Sequence, residues 1–157
     1  VNRPGVTVLY RRGYFGSRQL PAMNRLEMLT YSRITGAANY DRDVPDIGLT
    51  GTLTQDGTGV TVDLVITATR LSLIEQAGRR AGTLKIAAFA GDRNERIIGE
   101  VWQDLDLEYT AARYQEVLTD GIPHQMRVPV VGVPTYMKVV VYDHNADLVG
   151  SRTLKIR

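Results

Sequence analysis

Residues 134–156 constrain the fold more than any other stretch of the chain. Pro134-Thr-Tyr-Met-Lys-Val-Val-Val-Tyr-Asp143 and Leu148-Val-Gly-Ser-Arg-Thr-Leu-Lys-Ile156 read as two β-strands, joined by a polar turn and entered through a Pro–Thr–Tyr corner. The same period of two recurs upstream. Val60, Val62, Leu64 and Ile66 share a face while Thr61, Asp63 and Thr67 lie opposite, the pattern of a half-buried strand. Asp56-Gly57-Thr58-Gly59 supplies turn residues before it, with Ile47, Leu49 and Leu53 alternating upstream. A hairpin over 47–54 and 60–68 is therefore predicted.

A second hairpin follows. Leu84, Ile86 and Ala88 lead through a turn at 91–95 to a long, bent strand carrying Ile97, Val101, Leu105 and Leu107. Met126, Val128 and Val130 mark a shorter strand, and Pro123 and Pro129 assign it to an edge or a bulge. Two stretches have helical spacing. Met23, Leu26 and Leu29 predict a helix over 21–33, and Thr110 with Gly121 brackets a short helix between strands. Residues 36–45 read as a loop. About seven short strands with Gly- and Asp-rich turns predict a mainly β fold: an antiparallel immunoglobulin-like or fibronectin-type β-sandwich with one or two short helices.

Composition narrows the chemistry. At 157 residues the chain is about one domain long and can bury a core unaided. A net charge of +2 gives no drive towards nucleic acid, and no apolar run approaches the roughly 18–20 residues that span a bilayer. With no cysteine there is no disulfide framework, thiolate zinc site or cysteine nucleophile. The serines (Ser17, Ser32, Ser72 and Ser151) lie outside any Gly-x-Ser-x-Gly elbow, and His124 and His144 lack a metal-ligand partner at useful spacing. No glycine-rich phosphate loop precedes a helix. No catalytic residue and no cofactor is assigned.

Arg3-Pro-Gly-Val-Thr-Val-Leu-Tyr-Arg-Arg-Gly-Tyr-Phe15 carries a signal of its own. It resembles the segment closing the von Willebrand factor type A-like domain of bacterial VWFA-related proteins, where a last strand leads through a helical linker into a β-sandwich. Tyr136 to Asp143 and Gly150-Ser151 are similar to the end of that sandwich. The resemblance implies that residues 1–45 are the tail of an upstream domain plus linker, and 46–157 the sandwich. It also implies an extracytoplasmic (secreted or periplasmic) protein. The Asp-x-Ser-x-Ser metal motif of type A domains is absent from this chain. The strand expected at residues 5–10 would then be orphaned and free to form a homodimer by edge addition.

Five features remain as candidates. Asp143, Asn145 and Asp147 partly match a calcium loop, but Leu148 and Leu154 occupy positions that need Gly and a bidentate Glu, so a tight turn is the preferred reading. Asp104, Asp106 and Glu108 form a stripe on one strand face, read as a solvated face with Arg or Lys across from it rather than a glycosidase pair. Trp102, with Tyr109 or Tyr114, is a candidate sugar platform, against which stands a Trp102 tucked under a helix or at the bend. Tyr136 is a candidate corner tyrosine bonding backbone through its hydroxyl. Arg11, Arg12, Arg18 and Arg25 make the N-terminal arm basic, with a solvated linker the preferred reading and docking against an acidic partner or the upstream domain the alternative. The function expected is a non-catalytic interaction or structural module. A carbohydrate-binding module, a carboxylate hydrolase and calcium-dependent adhesion are the alternatives.

Overall fold

The structure, a computed structural model, describes residues 24–156. The expected strand at 5–10, the start of the helix expected from 21, and Arg11, Arg12, Ser17 and Arg18 lie outside the described residues.

Eight strands and two helices follow in the order α1 (Arg25–Ala38), β1 (Leu49–Asp56), β2 (Gly59–Ile66), β3 (Ile74–Gln76), β4 (Arg79–Gly91), β5 (Ile97–Thr110), α2 (Ala111–Asp120), β6 (Ile122–Pro129), β7 (Tyr136–Asp143) and β8 (Leu148–Lys155). All pairings are antiparallel. One sheet runs β1-β2-β6 and the other β5-β4-β7-β8, with short β3 beside the first residues of β4. In immunoglobulin lettering this is ABE against C′CFG, with α2 in the crossover and no strand D. The fold is a mainly β sandwich, as the periodicity predicts. β6 lies on a sheet edge, where its prolines had placed it.

The main core lies between the sheets. Val60, Val62, Leu64 and Ile66 of β2 face Leu84, Ile86 and Ala88 of β4 and Met137, Val139 and Val141 of β7. Helix α2, capped by the Thr110 hydroxyl accepting from Arg113 N, closes one end with buried Val117. Gly121 ends it at φ 79°, a backbone conformation that glycine adopts without steric cost.

A second cluster lies on the outer face of the larger sheet. Ile34, 0% exposed, and Ala37 of α1 pack onto Ala87 and Phe89 of β4, Val140 and Tyr142 of β7, and Val149 of β8. β7 is thus buried on both faces, which explains its unbroken apolar run. Helix α1 ends later than predicted. Asn24 and Glu27 form a reciprocal capping box, and the helix passes through Gly36 to Ala38. The helix that reads from sequence as part of a linker is packed against the sandwich.

The 39–48 connection is fastened too. Lys138, 5% exposed in the middle of β7, donates to the Tyr40 and Arg42 carbonyls and to Asp43 Oδ1, at 3.1–3.3 Å. The same Asp43 oxygen accepts from Thr153 N and Oγ1 at 2.9 and 3.0 Å. Ser151 N donates to the Val44 carbonyl, and Pro45 bridges Gly150, so this segment covers part of the free edge of β8. No helix among the described residues is long and apolar enough to cross a membrane.

Candidate functional site

β4 and β5 pair from Arg79–Thr110 to Gly91–Ile97, but β7 accompanies β4 only from Leu84 onwards. The β4–β5 ribbon therefore projects beyond the part of the sheet that α1 covers. Strand parity puts Thr83 and Lys85 of β4 on the same outer face as Trp102, Asp104, Asp106 and Glu108 of β5. An open groove of about 1160 Å3 lies between this face and the first turns of α1. Leu26, Glu27, Thr30 and Tyr31 form one wall, and Ile74, Gln76, His144 and Asn145 also line it.

Each carboxylate of the floor has a partner opposite. Asp104 pairs with Lys85 at 2.6 Å, Asp106 accepts from the Thr83 hydroxyl at 2.7 Å, and Glu108 pairs with Arg79 at 2.9 Å. Lys85↔Asp104 and Thr83↔Asp106 are direct cross-strand neighbours. All three carboxylates are exposed. They stand in a row on one strand, and the other carboxylate of the lining is Glu27 of α1, which accepts from Asn24 N in the capping box. The row is exposed and paired across the strands, the arrangement that the sequence favoured.

Trp102 lies beside the helix. Its ring stacks on Tyr31 (centroids 5.6 Å apart, 13° between planes) and meets Phe89 edge-on at 5.7 Å, leaving the residue 38% exposed. Tyr109 points to the opposite side of the ribbon and packs, with Tyr114, against the inter-sheet core. Trp102 therefore forms no platform with Tyr109 or Tyr114. The physical reason is the period of two, which separates residues 102 and 109 across the sheet. Arg80 lies over the Tyr114 ring at 5.4 Å, in cation–π geometry.

The 143–147 turn spends its side chains internally. Asp143, 1% exposed, accepts from Ser72 N at 2.7 Å and from the Asn145 and Ala146 amides. The Asn145 side chain donates to the Ser72 carbonyl. Asp147 pairs with Arg33 of α1 at 2.5 Å and accepts from the Tyr142 hydroxyl at 3.1 Å. Of the three candidate cation ligands, Asp143 and Asn145 are thus engaged by Ser72 and Asp147 by Arg33 and Tyr142. Among the described residues no group of three His, Asp or Glu side chains is placed to hold a metal ion.

Tyr136 lies directly opposite Gly91 across β4 and β7, and its ring covers that glycine so closely that a Cβ there would collide with it. Burial raises the pKa of its phenol, with Glu95 and Asp92 adding to the effect. Its hydroxyl makes no backbone bond among the described residues, so the anchoring is by ring packing rather than by the corner hydrogen bond expected. His124 of β6 meets Gln103 of β5 at 3.1 Å across the sandwich edge, and burial lowers its pKa below the ordinary 6.5. Asp92 is held below the usual carboxylate range, first by the Arg96 backbone N–H and further by the Arg96 side chain and Asn94 N–H, against the opposing effect of burial. Ser151 accepts from Val44 N, a structural role.

No protein-family model matches the chain, and no curated protein matches it. Among solved structures, a hypothetical protein from Pyrococcus horikoshii OT3 aligns over 72% of this chain and 91% of its own, at 7% identity and a TM-score of 0.39. That score is too low to assign a common fold.

The wall residues Glu27 and Tyr31 and the floor residues Thr83 and Lys85 were not singled out from sequence. The Asn24-x-x-Glu27 box would have fixed the start of the helix. The parity of Thr83 and Lys85 against Leu84 and Ile86 would have put them opposite the acidic stripe.

Proposed function

We propose that the chain is a non-catalytic extracytoplasmic β-sandwich module that follows a von Willebrand factor type A-like domain and holds it in a fixed orientation. The observation that carries this is the docking of α1. Its Ile34 sits in a closed cluster on the sheet, its Arg33 pairs with Asp147, and the connection after it is clamped through Asp43. A helix fastened at both its face and its exit fixes where the preceding polypeptide enters, as a spacer requires. The resemblance at Arg3–Phe15 supports the identity of the preceding domain and the extracytoplasmic location. The non-catalytic part is supported by the groove carboxylates, which are exposed and paired, and by Trp102, whose ring face is taken by Tyr31.

The test uses the longer polypeptide with its preceding domain, one spin label on β8 and one on that domain. A narrow distance distribution is expected, broadening when Ile34→Asp undocks the helix. A broad distribution that Ile34→Asp leaves unchanged would refute the reading.

A further inference from the structure

The chain divides its charge unevenly. Residues 1–23 hold four arginines (Arg3, Arg11, Arg12 and Arg18) and no Asp or Glu. Of 19 Lys and Arg, 15 remain for residues 24–157, which carry all 17 carboxylates. The near-neutral total conceals a segment of +4 joined to a body of −2. The groove beside α1 gathers the acidic side of that balance, with Glu27, Asp104, Asp106 and Glu108 lining it against a single lysine, Lys85. Asp104 and Glu108 are paired with Lys85 and Arg79, whereas Asp106 and Glu27 have neutral partners, the Thr83 hydroxyl and the Asn24 backbone N–H.

Asn24 itself lines the groove, so the basic segment is tethered at its rim. Six residues back to Arg18 reach up to roughly 20 Å when extended. The row from Trp102 to Glu108 spans about 20 Å at strand spacing. At 1160 Å3 the groove exceeds the roughly 300–1,000 Å3 of a small-molecule site and is open along its length, which suits a polypeptide. Its apolar parts, Leu26, Ile74 and the free portion of Trp102, are exposed. The segment carries Tyr10, Tyr14 and Phe15 interleaved with its arginines.

We propose that residues 11–18 occupy this groove in the same molecule, Arg11, Arg12 and Arg18 facing the Asp104–Asp106–Glu108 row and Tyr14 and Phe15 covering Leu26 and Trp102. The short tether supplies an effective concentration in the millimolar range, so contacts that are individually weak suffice. The segment begins where the strand expected at residues 5–10 ends and the spacer reading rests on the docking of α1, so failure of this contact would leave that reading intact.

The whole chain, which has no cysteine, accepts a single nitroxide at Ser17→Cys. In 15N-labelled protein the amide peaks of Thr83, Lys85, Asp104 and Asp106 should lose intensity relative to the reduced label. They should recover at about 1 M salt, where the Debye length falls to ~3 Å. Asp104→Lys/Asp106→Lys should abolish the loss at positions 83 and 85 while the Val62 and Val139 peaks stay in place as a check on folding. Unaffected peaks would overturn the proposal, as would salt-insensitive broadening. So would broadening that appears when 15N chains without the label are mixed with unenriched labelled ones, because a second copy would then be the occupant.

Discussion

Replacing Ile34 with alanine should lower stability by about 2–4 kcal/mol, the range for truncating a fully buried aliphatic side chain. Ile34 is 0% exposed and packs onto Ala87, Phe89, Val140 and Tyr142, so little space can collapse behind it. With a urea dependence of about 2 kcal/mol per molar, the midpoint should fall by about 1–2 M. The chain has one tryptophan, and Trp102 stacks on Tyr31 of the same helix, so its fluorescence reports on docking while far-UV circular dichroism reports on the sheets. The fluorescence transition should move at least as far as the dichroism transition. Met28→Ala, at an exposed position on the same helix, should stay within about 0.5 kcal/mol. A loss under about 1 kcal/mol for Ile34→Ala, or a fluorescence midpoint that stays put while the sheets weaken, would refute the claim that α1 is fastened through this cluster.

Three further outcomes are expected. Gly91→Ala should destabilise by about 1–3 kcal/mol because its Cβ meets the Tyr136 ring, whereas Tyr136→Phe should cost under about 0.5, and chemical denaturation of both variants separates ring packing from hydroxyl bonding. Asp143→Ala strands the Ser72, Asn145 and Ala146 amides and should cost about 3 kcal/mol in the same assay, with the melting temperature of the native chain unmoved by millimolar calcium. Asp92 has a folded-state pKa below its unfolded value, so its contribution is full above the unfolded pKa and lost as pH falls through the folded one; the Asn94 and Arg96 amide resonances should shift in that acid window and Asp92→Asn should remove the shift.

Strands that bury one face were legible because each writes a period of two. The β1–β2 hairpin is the clear case, whereas β7, buried on both faces, was legible as an unbroken apolar run before a polar turn. β3 was not legible: its three residues are all exposed, and its turn puts Ala77 at φ 50°, a conformation that sequence gives no reason to assign to alanine. β4 reaches back to Arg79 rather than Leu84 because its first residues are held by pairing with β5 rather than by burial. Gly36 read as a break, yet a glycine within a helix costs only about 1 kcal/mol, which the packing of Ile34 and Ala37 outweighs. The paired acidic row could be read from β5 alone. The groove could not, because its second wall is a helix some seventy residues away in sequence whose docking depends on tertiary contacts.

The double burial of β7 has a consequence for how the molecule is made. Its Val141 pairs with Ile86, and its two faces are covered by α1 on one side and by β2 and β6 on the other. The larger sheet, and the seat of α1 upon it, are therefore incomplete until a strand that is synthesised after six others has emerged from the ribosome. Until then α1 and β2 cover β4 only in part, because the β7 side chains that complete both clusters are missing. Such non-local topologies fold slowly, and the nascent chain is at its most aggregation-prone just before β7 inserts. Slowing translation between β6 and β7 should lower the soluble yield far more than slowing it after β8.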